Sequence, residues 1–305
     1  MSILFVLVLL VIVVYWKTYP RFGHWLYDFA NDLEEKLYGF KKRTAMLDGI
    51  EYHFWQNANE SKPLLILLHG FSADHTVWLR FANNLNEHFF VVIPDMAGHG
   101  ATGFDQRWSY TPKAQADRIA LLIEQLGHTK AHIVGNSMGG LIAAHLACHT
   151  AKCASVTLID PAGLKTPIPS TMDKLINNGE NPFFIDNKAA FKRFYNMVMA
   201  RPPFIPSVVK DAVCEKYMAK EQELQQIWGD FNQNEGYLKA DLPNCHCPAL
   251  VIWGAKDELI HVSGANEWQQ GLNCTAHIWY DLGHMPMVEA PSRTAYAVKQ
   301  FVGAD

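Results

Sequence analysis

Ile133-Val134-Gly135-Asn136-Ser137-Met138-Gly139-Gly140 decides how this chain is read. An apolar strand, 131–134, runs straight into Gly-x-Ser-x-Gly, and the helix-like run 141–147 follows at once. A serine on so sharp a strand-to-helix turn holds a strained backbone and presents its Oγ at the surface of the sheet. Gly135 and Gly139 leave room for the close backbone approach that the turn demands. The helix N-terminus beside the serine offers N–H groups and the positive end of a dipole to a developing oxyanion. The pentapeptide alone carries little. The strand before it and the helix after it make Ser137 a candidate nucleophile rather than part of a glycine-rich packing turn.

Outward from this turn, strands alternate with helices. Asp48-Gly49 signals a hairpin between 43–47 and 50–56. Apolar strands are expected at 64–68, 89–93, 131–134 and 156–159, with helices at about 77–85 and 113–126 between them. Continuous apolar strands separated by helices predict an α/β fold with a mostly parallel central sheet covered on both faces. The alternation breaks from 162 to about 241 and resumes with strands at 249–253 and 276–280 and a last helix at 290–301. The middle block is therefore expected to be an inserted, mainly helical cap. Its many Phe and Met residues serve either as its own core or as one wall of an apolar ligand slot between cap and sheet. Phe183, Phe184 and Phe204 are the candidates for that wall.

A chain of 305 residues with 49% hydrophobic content can bury a large core, and one catalytic domain, 43–305, with an insertion fits better than two equal domains. A net charge of −4 with no long basic run argues against nucleic acid as a partner. The six cysteines are scattered, and Cys245-His246-Cys247 lacks a second pair at metal-ligand spacing, so it reads as a non-metal loop. The first 17 residues are almost wholly apolar and end in Tyr15, Trp16 and Lys17, the signature of a membrane–water boundary. No basic residue precedes the run, and no small-x-small cleavage site follows it, so an uncleaved anchor is favoured over a signal peptide. Lys17 and Arg21 on its far side place the catalytic domain in the cytoplasm by the positive-inside rule. Residues 18–42 form an amphipathic linker, with Phe22, Trp25, Leu26, Phe29, Leu33, Leu37 and Phe40 three or four apart. It lies in the membrane interface or packs on the catalytic domain.

A serine nucleophile needs a base, and the base needs an acid to hold its tautomer. Of the fourteen histidines, His284 stands on the loop between the last strand and the last helix. Asp257 follows the strand at 249–253, giving the chain order Ser, Asp, His. Asp160, after the strand next to the nucleophile strand, is the rival acid. Two backbone N–H donors for an oxyanion are expected from Met138 and from Phe71 in His69-Gly70-Phe71, where His69 bonds across its own loop.

His69-Gly70-Phe71, Asp95-Met96-Ala97-Gly98-His99-Gly100, the Ser137 turn, Gly254-Ala255-Lys256-Asp257 and Gly283-His284 together resemble the α/β-hydrolase superfamily, from about Arg43 to the C-terminus. Within it, Asn181-Pro182-Phe183, Arg201-Pro202-Pro203-Phe204-Ile205-Pro206 and Met285-Pro286-Met287-Val288-Glu289 are similar to segments of bacterial family V lipases and of membrane-anchored monoacylglycerol lipases. The resemblance implies Ser137 as nucleophile, His284 as base, Asp257 as its orienting acid, and Phe71 and Met138 as oxyanion donors. It implies hydrolysis of lipid esters at a membrane, without a cofactor or metal. A carbon–carbon bond hydrolase or a cofactor-free perhydrolase uses the same triad on the same fold, and a non-catalytic ligand sensor is a further alternative.

Overall fold

The structure is a computed structural model that describes residues 5, 6, 8, 11, 18, 19, 21–232 and 237–303. The anchor expected over 1–17 lies largely outside them. Among the described residues no helix is long and apolar enough to cross a membrane.

Among the described residues from 21 on, helix α1 (Arg21–Leu37) precedes a hairpin of β1 (Lys41–Leu47) and β2 (Ile50–Gln56). Asp48 and Gly49 both take positive φ, 53° and 75°, and put Leu47 opposite Ile50, the two-residue turn that the Asp-Gly pair predicts. Then follow β3 (Leu64–Leu68), α2 (Leu79–Asn83), β4 (Phe90–Pro94), α3 (Pro112–Gln125), β5 (Ala131–Asn136), α4 (Met138–His149) and β6 (Cys153–Ile159). Four helices come next: α5 (Thr171–Asn177), α6 (Lys188–Val198), α7 (Ser207–Ala219) and α8 (Glu221–Asn232). The chain closes with β7 (Ala249–Gly254), α9 (Gly264–Leu272), β8 (Thr275–Trp279), α10 (Pro286–Glu289) and α11 (Pro291–Val302).

The strands form one sheet in the order β1-β2-β4-β3-β5-β6-β7-β8. The hairpin and the β2–β4 pair are antiparallel; every later pairing is parallel. Strands β3 and β4 are buried along their whole length, which is why they read as unbroken apolar runs. Alternate residues serve opposite faces. Leu64, Ile66 and Leu68 join Ile119, Leu122 and Trp268 beneath α3, α4 and α9, while Leu65 and Leu67 join Phe81 and Val298 beneath α2 and α11. Because the strands are parallel, the carboxyl ends of β3, β5, β6, β7 and β8 all open on one edge, where ligands bind in such sheets.

Helix α1 packs on the domain through one face and leaves the other bare. Gly23 is buried against α7, where a Cβ would stand 2.1 Å from the Val208 carbonyl oxygen. Lys216 meets Asp28 at 2.8 Å. Phe22, Trp25 and Phe29 stay 41%, 57% and 49% exposed and stack in a ladder, with ring centroids 5.8 and 5.3 Å apart.

The far end of α1 is fastened through a charged residue. His75 lies flat on Trp55; its Nδ1 donates to Asp95 at 2.9 Å and its Nε2 to Glu35 of α1 at 3.1 Å. Both ring nitrogens therefore face carboxylates, as only imidazolium can satisfy. Burial alone would lower its pKa, but the bonds to Asp95 and Glu35 outweigh it and raise it to about 9. With an unfolded pKa near ~6.5, the charged form is favoured in the fold. The stabilisation is complete below ~6.5 and is lost as pH rises through about 9. Its full size is on the order of 3 kcal/mol, most of it lost between pH 7 and pH 10. The thermal midpoint should therefore fall between pH 7 and pH 10 by roughly 5–10 °C more in the native chain than in His75→Gln. Parallel curves for the two proteins would disprove the tie.

Candidate active site

Ser137 joins β5 to α4 at φ 56° and ψ −117°, a region that non-glycine residues occupy only when their surroundings force them. The forcing contacts are visible. Its N–H donates to Ile159 O at 3.0 Å, and its carbonyl accepts from Leu141 at 3.1 Å and Ala162 at 3.1 Å. The helix crosses the strands so closely that a Cβ at Gly135 would stand 2.1 Å from Gly139 O, and one at Gly139 2.2 Å from Leu68 O. Only glycine fits either place. Helix α4 is buried almost throughout, so its dipole acts at Ser137 with little screening by water.

The loops after β7 and β8 bring the other two residues in. A Cβ at Gly254 would stand 1.9 Å from Gly283 O, and Lys256 N–H donates to Leu282 O at 2.9 Å, so the two loops run in contact. His284 Nδ1 lies 2.7 Å from Asp257 Oδ2. Asp257 Oδ1 accepts from the N–H groups of Leu259 at 2.8 Å and Ile260 at 2.9 Å. An ionised carboxylate has only acceptors, so Nδ1 carries the proton and Nε2 is left as the basic nitrogen. Both side chains are buried, and His284 and Ser137 line one cavity.

Asp160, the rival acid, is also here. It is fully buried at φ 44°, and its Oδ1 takes the Gly254 N–H at 2.9 Å. Its other oxygen faces Asp257, and the polar atoms of Asp160, Asp257 and His284 lie within 4.8 Å of one another. That grouping is of a kind that holds metal ions; within it His284 and Asp257 bond each other, while Asp160 Oδ2 is buried with no hydrogen-bond partner. Burial and the neighbouring Asp257 charge push Asp160 well above the ordinary carboxylate range. Two touching carboxyls shut off from water do not both ionise. Asp160 is the one that holds its proton, beside an Asp257 whose oxygens already take three N–H donors.

Phe71 and Met138 flank the serine. Met138 opens α4, so its N–H has no carbonyl a turn earlier. Gly70 lets the β3 loop lie against the nucleophile turn; a Cβ there would be 3.2 Å from Ser137 Cβ. His69 pins that loop, its Nδ1 donating to Gly70 O at 2.8 Å and its Nε2 accepting from Met96 N–H at 3.0 Å. Both ring nitrogens are thus used within the loop, and burial lowers its pKa, so it stays neutral.

The cavity measures about 580 Å³. Its walls are apolar: Phe71, Phe183, Phe194, Val198 and Met199, with Leu26 and Ala30 from the inner face of α1. Phe204 stands at the rim, 92% exposed. Phe184, expected beside Phe183, is not on the wall; its ring packs edge-on to Trp228 with centroids 6.4 Å apart. Consecutive residues point in different directions, and only Phe183 turns inward.

Two positions escaped the sequence reading. Asn136 Nδ2 donates to Ile159 O at 3.1 Å and to His284 O at 3.0 Å, so the residue before Ser137 also holds the His284 backbone. Glu289 accepts from Gly283 N–H at 2.9 Å and from Arg201 N–H at 2.7 Å, holding the histidine loop to the segment after α6. The one signal for either was a place inside a motif already singled out.

Comparison with known proteins agrees with this geometry. Residues 63–291 match the model of the alpha/beta hydrolase fold family. Lipase 3 of Moraxella sp. (strain TA144) is 30% identical over 268 residues, spanning 85% of this chain and 84% of its own. Monoacylglycerol lipase abhd6-B of Xenopus laevis is 28% identical over 257 residues, 80% of this chain and 76% of its own. The crystal structure of a membrane phospholipase A, a bacterial virulence factor, superposes with a TM-score of 0.89 at 31% identity, over 98% of this chain and 96% of that one. The nucleophile turn, the mostly parallel sheet and these relatives agree on one conclusion: the chain belongs to the α/β-hydrolase family.

Proposed function

We propose that this chain is a membrane-associated serine hydrolase that cleaves carboxylic esters of lipids through an acyl-enzyme on Ser137. The coarser statement, a lipid-ester hydrolase of the α/β-hydrolase family, rests on the lipases and monoacylglycerol lipases among its relatives. The observation that carries the finer one is the cavity, which joins Ser137 and His284 to an apolar space large enough for an acyl chain. In this reading His284 Nε2 takes the Ser137 proton as Oγ attacks the ester carbonyl. The Phe71 and Met138 N–H groups receive the oxyanion. His284 then gives its proton to the departing alcohol, and water repeats the sequence on the acyl-enzyme. Helices α5–α8 act as a cap over the acyl chain.

The aromatic ladder of α1 favours a bilayer as the surface the enzyme works on. Phe22, Trp25 and Phe29 continue the apolar run of the first 17 residues, and the inner face of the same helix lines the cavity. An anchored chain with the ladder in the membrane interface would bring the cavity beside its substrate. Lys17 and Arg21 favour the cytoplasmic side for the catalytic domain.

Ser137→Ala should lower kcat on a short-chain ester by roughly 10³–10⁶ and abolish labelling by a fluorophosphonate probe, with the thermal midpoint retained. Substantial turnover in a clean preparation of that variant would remove Ser137 from the mechanism. A panel of monoacylglycerol, triacylglycerol and a vinylogous diketone then separates ester from carbon–carbon cleavage.

The two acids are separable. Asp257→Asn should cost up to ~10⁴ in kcat, because an amide selects the wrong histidine tautomer. Asp160→Asn should cost about tenfold or less, since the amide, like the protonated acid, carries no charge and tolerates the left-handed backbone. The reverse ranking would make Asp160 the orienting acid.

Removal of residues 1–16 should shift the protein from carbonate-washed membranes to the supernatant while hydrolysis of a soluble ester persists. Truncation at Lys42 is a different experiment, for it removes the cavity wall and the Glu35–His75 tie. In the chain lacking 1–16, Trp25→Asp with Phe29→Asp should abolish residual binding to phosphatidylglycerol-containing vesicles. Binding that survives both changes would place the membrane contact elsewhere.

A further inference from the structure

Four of the six cysteines, spread from 148 to 247 in the chain, meet at the sheet edge opposite Ser137. Cys148 is in the last turn of α4, Cys153 opens β6, and Cys245 and Cys247 precede β7. Sheet pairing brings the two groups together: Val156 stands opposite Ala249, and its N–H donates to Pro248 O at 2.9 Å. Cys245 Sγ lies 3.7 Å from Cys247 Sγ, Cys148 hydrogen-bonds Cys245, and Cys153 hydrogen-bonds Cys247. The sulfurs thus run in a chain, 148–245–247–153. Among the described residues no three of them lie mutually within 4.8 Å, so they do not close around one point as a tetrahedral metal requires. Pairwise bonding is what this arrangement favours.

We propose that this cluster is an oxidation site in which a peroxide-class oxidant closes a Cys148–Cys245 disulfide. Cys245 is half-buried and lies between two thiols, Cys247 two residues on and Cys148 from the distant end of α4. Hydrogen bonds from Cys148 and Cys247 lower its pKa and favour its thiolate, the reactive form. The thiolate attacks a peroxide oxygen, the O–O bond breaks, and one water leaves after protonation. The sulfenic acid that forms is attacked by Cys148, the S–O bond breaks, and a second water leaves with the Cys148 proton. Two thiols are oxidised and one peroxide is reduced to two waters. The bond would join the C-terminal end of the nucleophile helix to the segment returning from α5–α8, far from Ser137. Its consequence is greater stability with unchanged chemistry at the site.

The test uses the full chain, purified reduced, then treated with hydrogen peroxide and alkylated. Peptide mapping should recover a Cys148–Cys245 cross-link, and the thermal midpoint should rise by several degrees and return on adding dithiothreitol. Cys245→Ser and, separately, Cys148→Ala should abolish the rise without changing turnover of a soluble ester in the reduced state. Mapping of the native chain is informative even if a variant folds poorly. Recovery of Cys245–Cys247 or Cys153–Cys247 instead, of uncross-linked sulfinic acid, or of stoichiometric zinc in a chromogenic chelator assay would each overturn the proposal.

Discussion

Ser137 keeps a backbone conformation that costs on the order of 1–3 kcal/mol and that its neighbours must hold in place. The holding is local and dense. Its N–H and carbonyl are bonded to Ile159 at the end of β6, Leu141 in α4 and Ala162 beyond β6, and the helix lies on the strands at distances that no Cβ would permit. A turn fixed in this way cannot relax when a ligand arrives, and a preorganised site is the main electrostatic resource of such a fold. The rest of the molecule is arranged so that this turn stays fixed and stays at the bottom of an apolar space.

The charges near it are arranged by the same logic. Three N–H donors converge on Asp257; Asp160, beside it, is protonated because a second negative charge there would have no water to solvate it. His69, buried with one donor and one acceptor, is neutral, while His75, buried between two carboxylates, is charged. Burial keeps Asp160 and His69 neutral, and at similar depth His75 is charged because its two carboxylate partners outweigh the same burial.

Helix α1 ties the two themes together. It is fastened by the charged His75 at one end and by close contact with α7 at the other, and its inner face completes the cavity while its outer face carries exposed aromatics. Its exposed aromatics are the face that the proposed membrane association would bury.

Much of this was legible in the sequence. The strands of the central sheet are buried on both faces, so they appear as unbroken apolar runs, and the Asp48-Gly49 hairpin and the glycines about Ser137 are demanded by backbone sterics that any reader can apply. The chain order of Ser137, Asp257 and His284 followed from strand ends alone. What the sequence left open were relations between distant segments. It offered Asp160 and Asp257 as alternatives, whereas the fold sets them side by side, with burial and the neighbouring Asp257 holding Asp160 protonated. It could not tell that Phe183 turns into the cavity and Phe184 away, or that the apolar stripe of α1 faces outward, because helical periodicity marks a face without saying what covers it. It read Cys245-His246-Cys247 as an isolated loop, and only the pairing of β6 with β7 brought Cys148 and Cys153 to it. Local sterics and periodicity are written in neighbouring residues; protonation, cavity walls and thiol contacts depend on residues a hundred positions apart, which only the folded sheet brings within bonding distance.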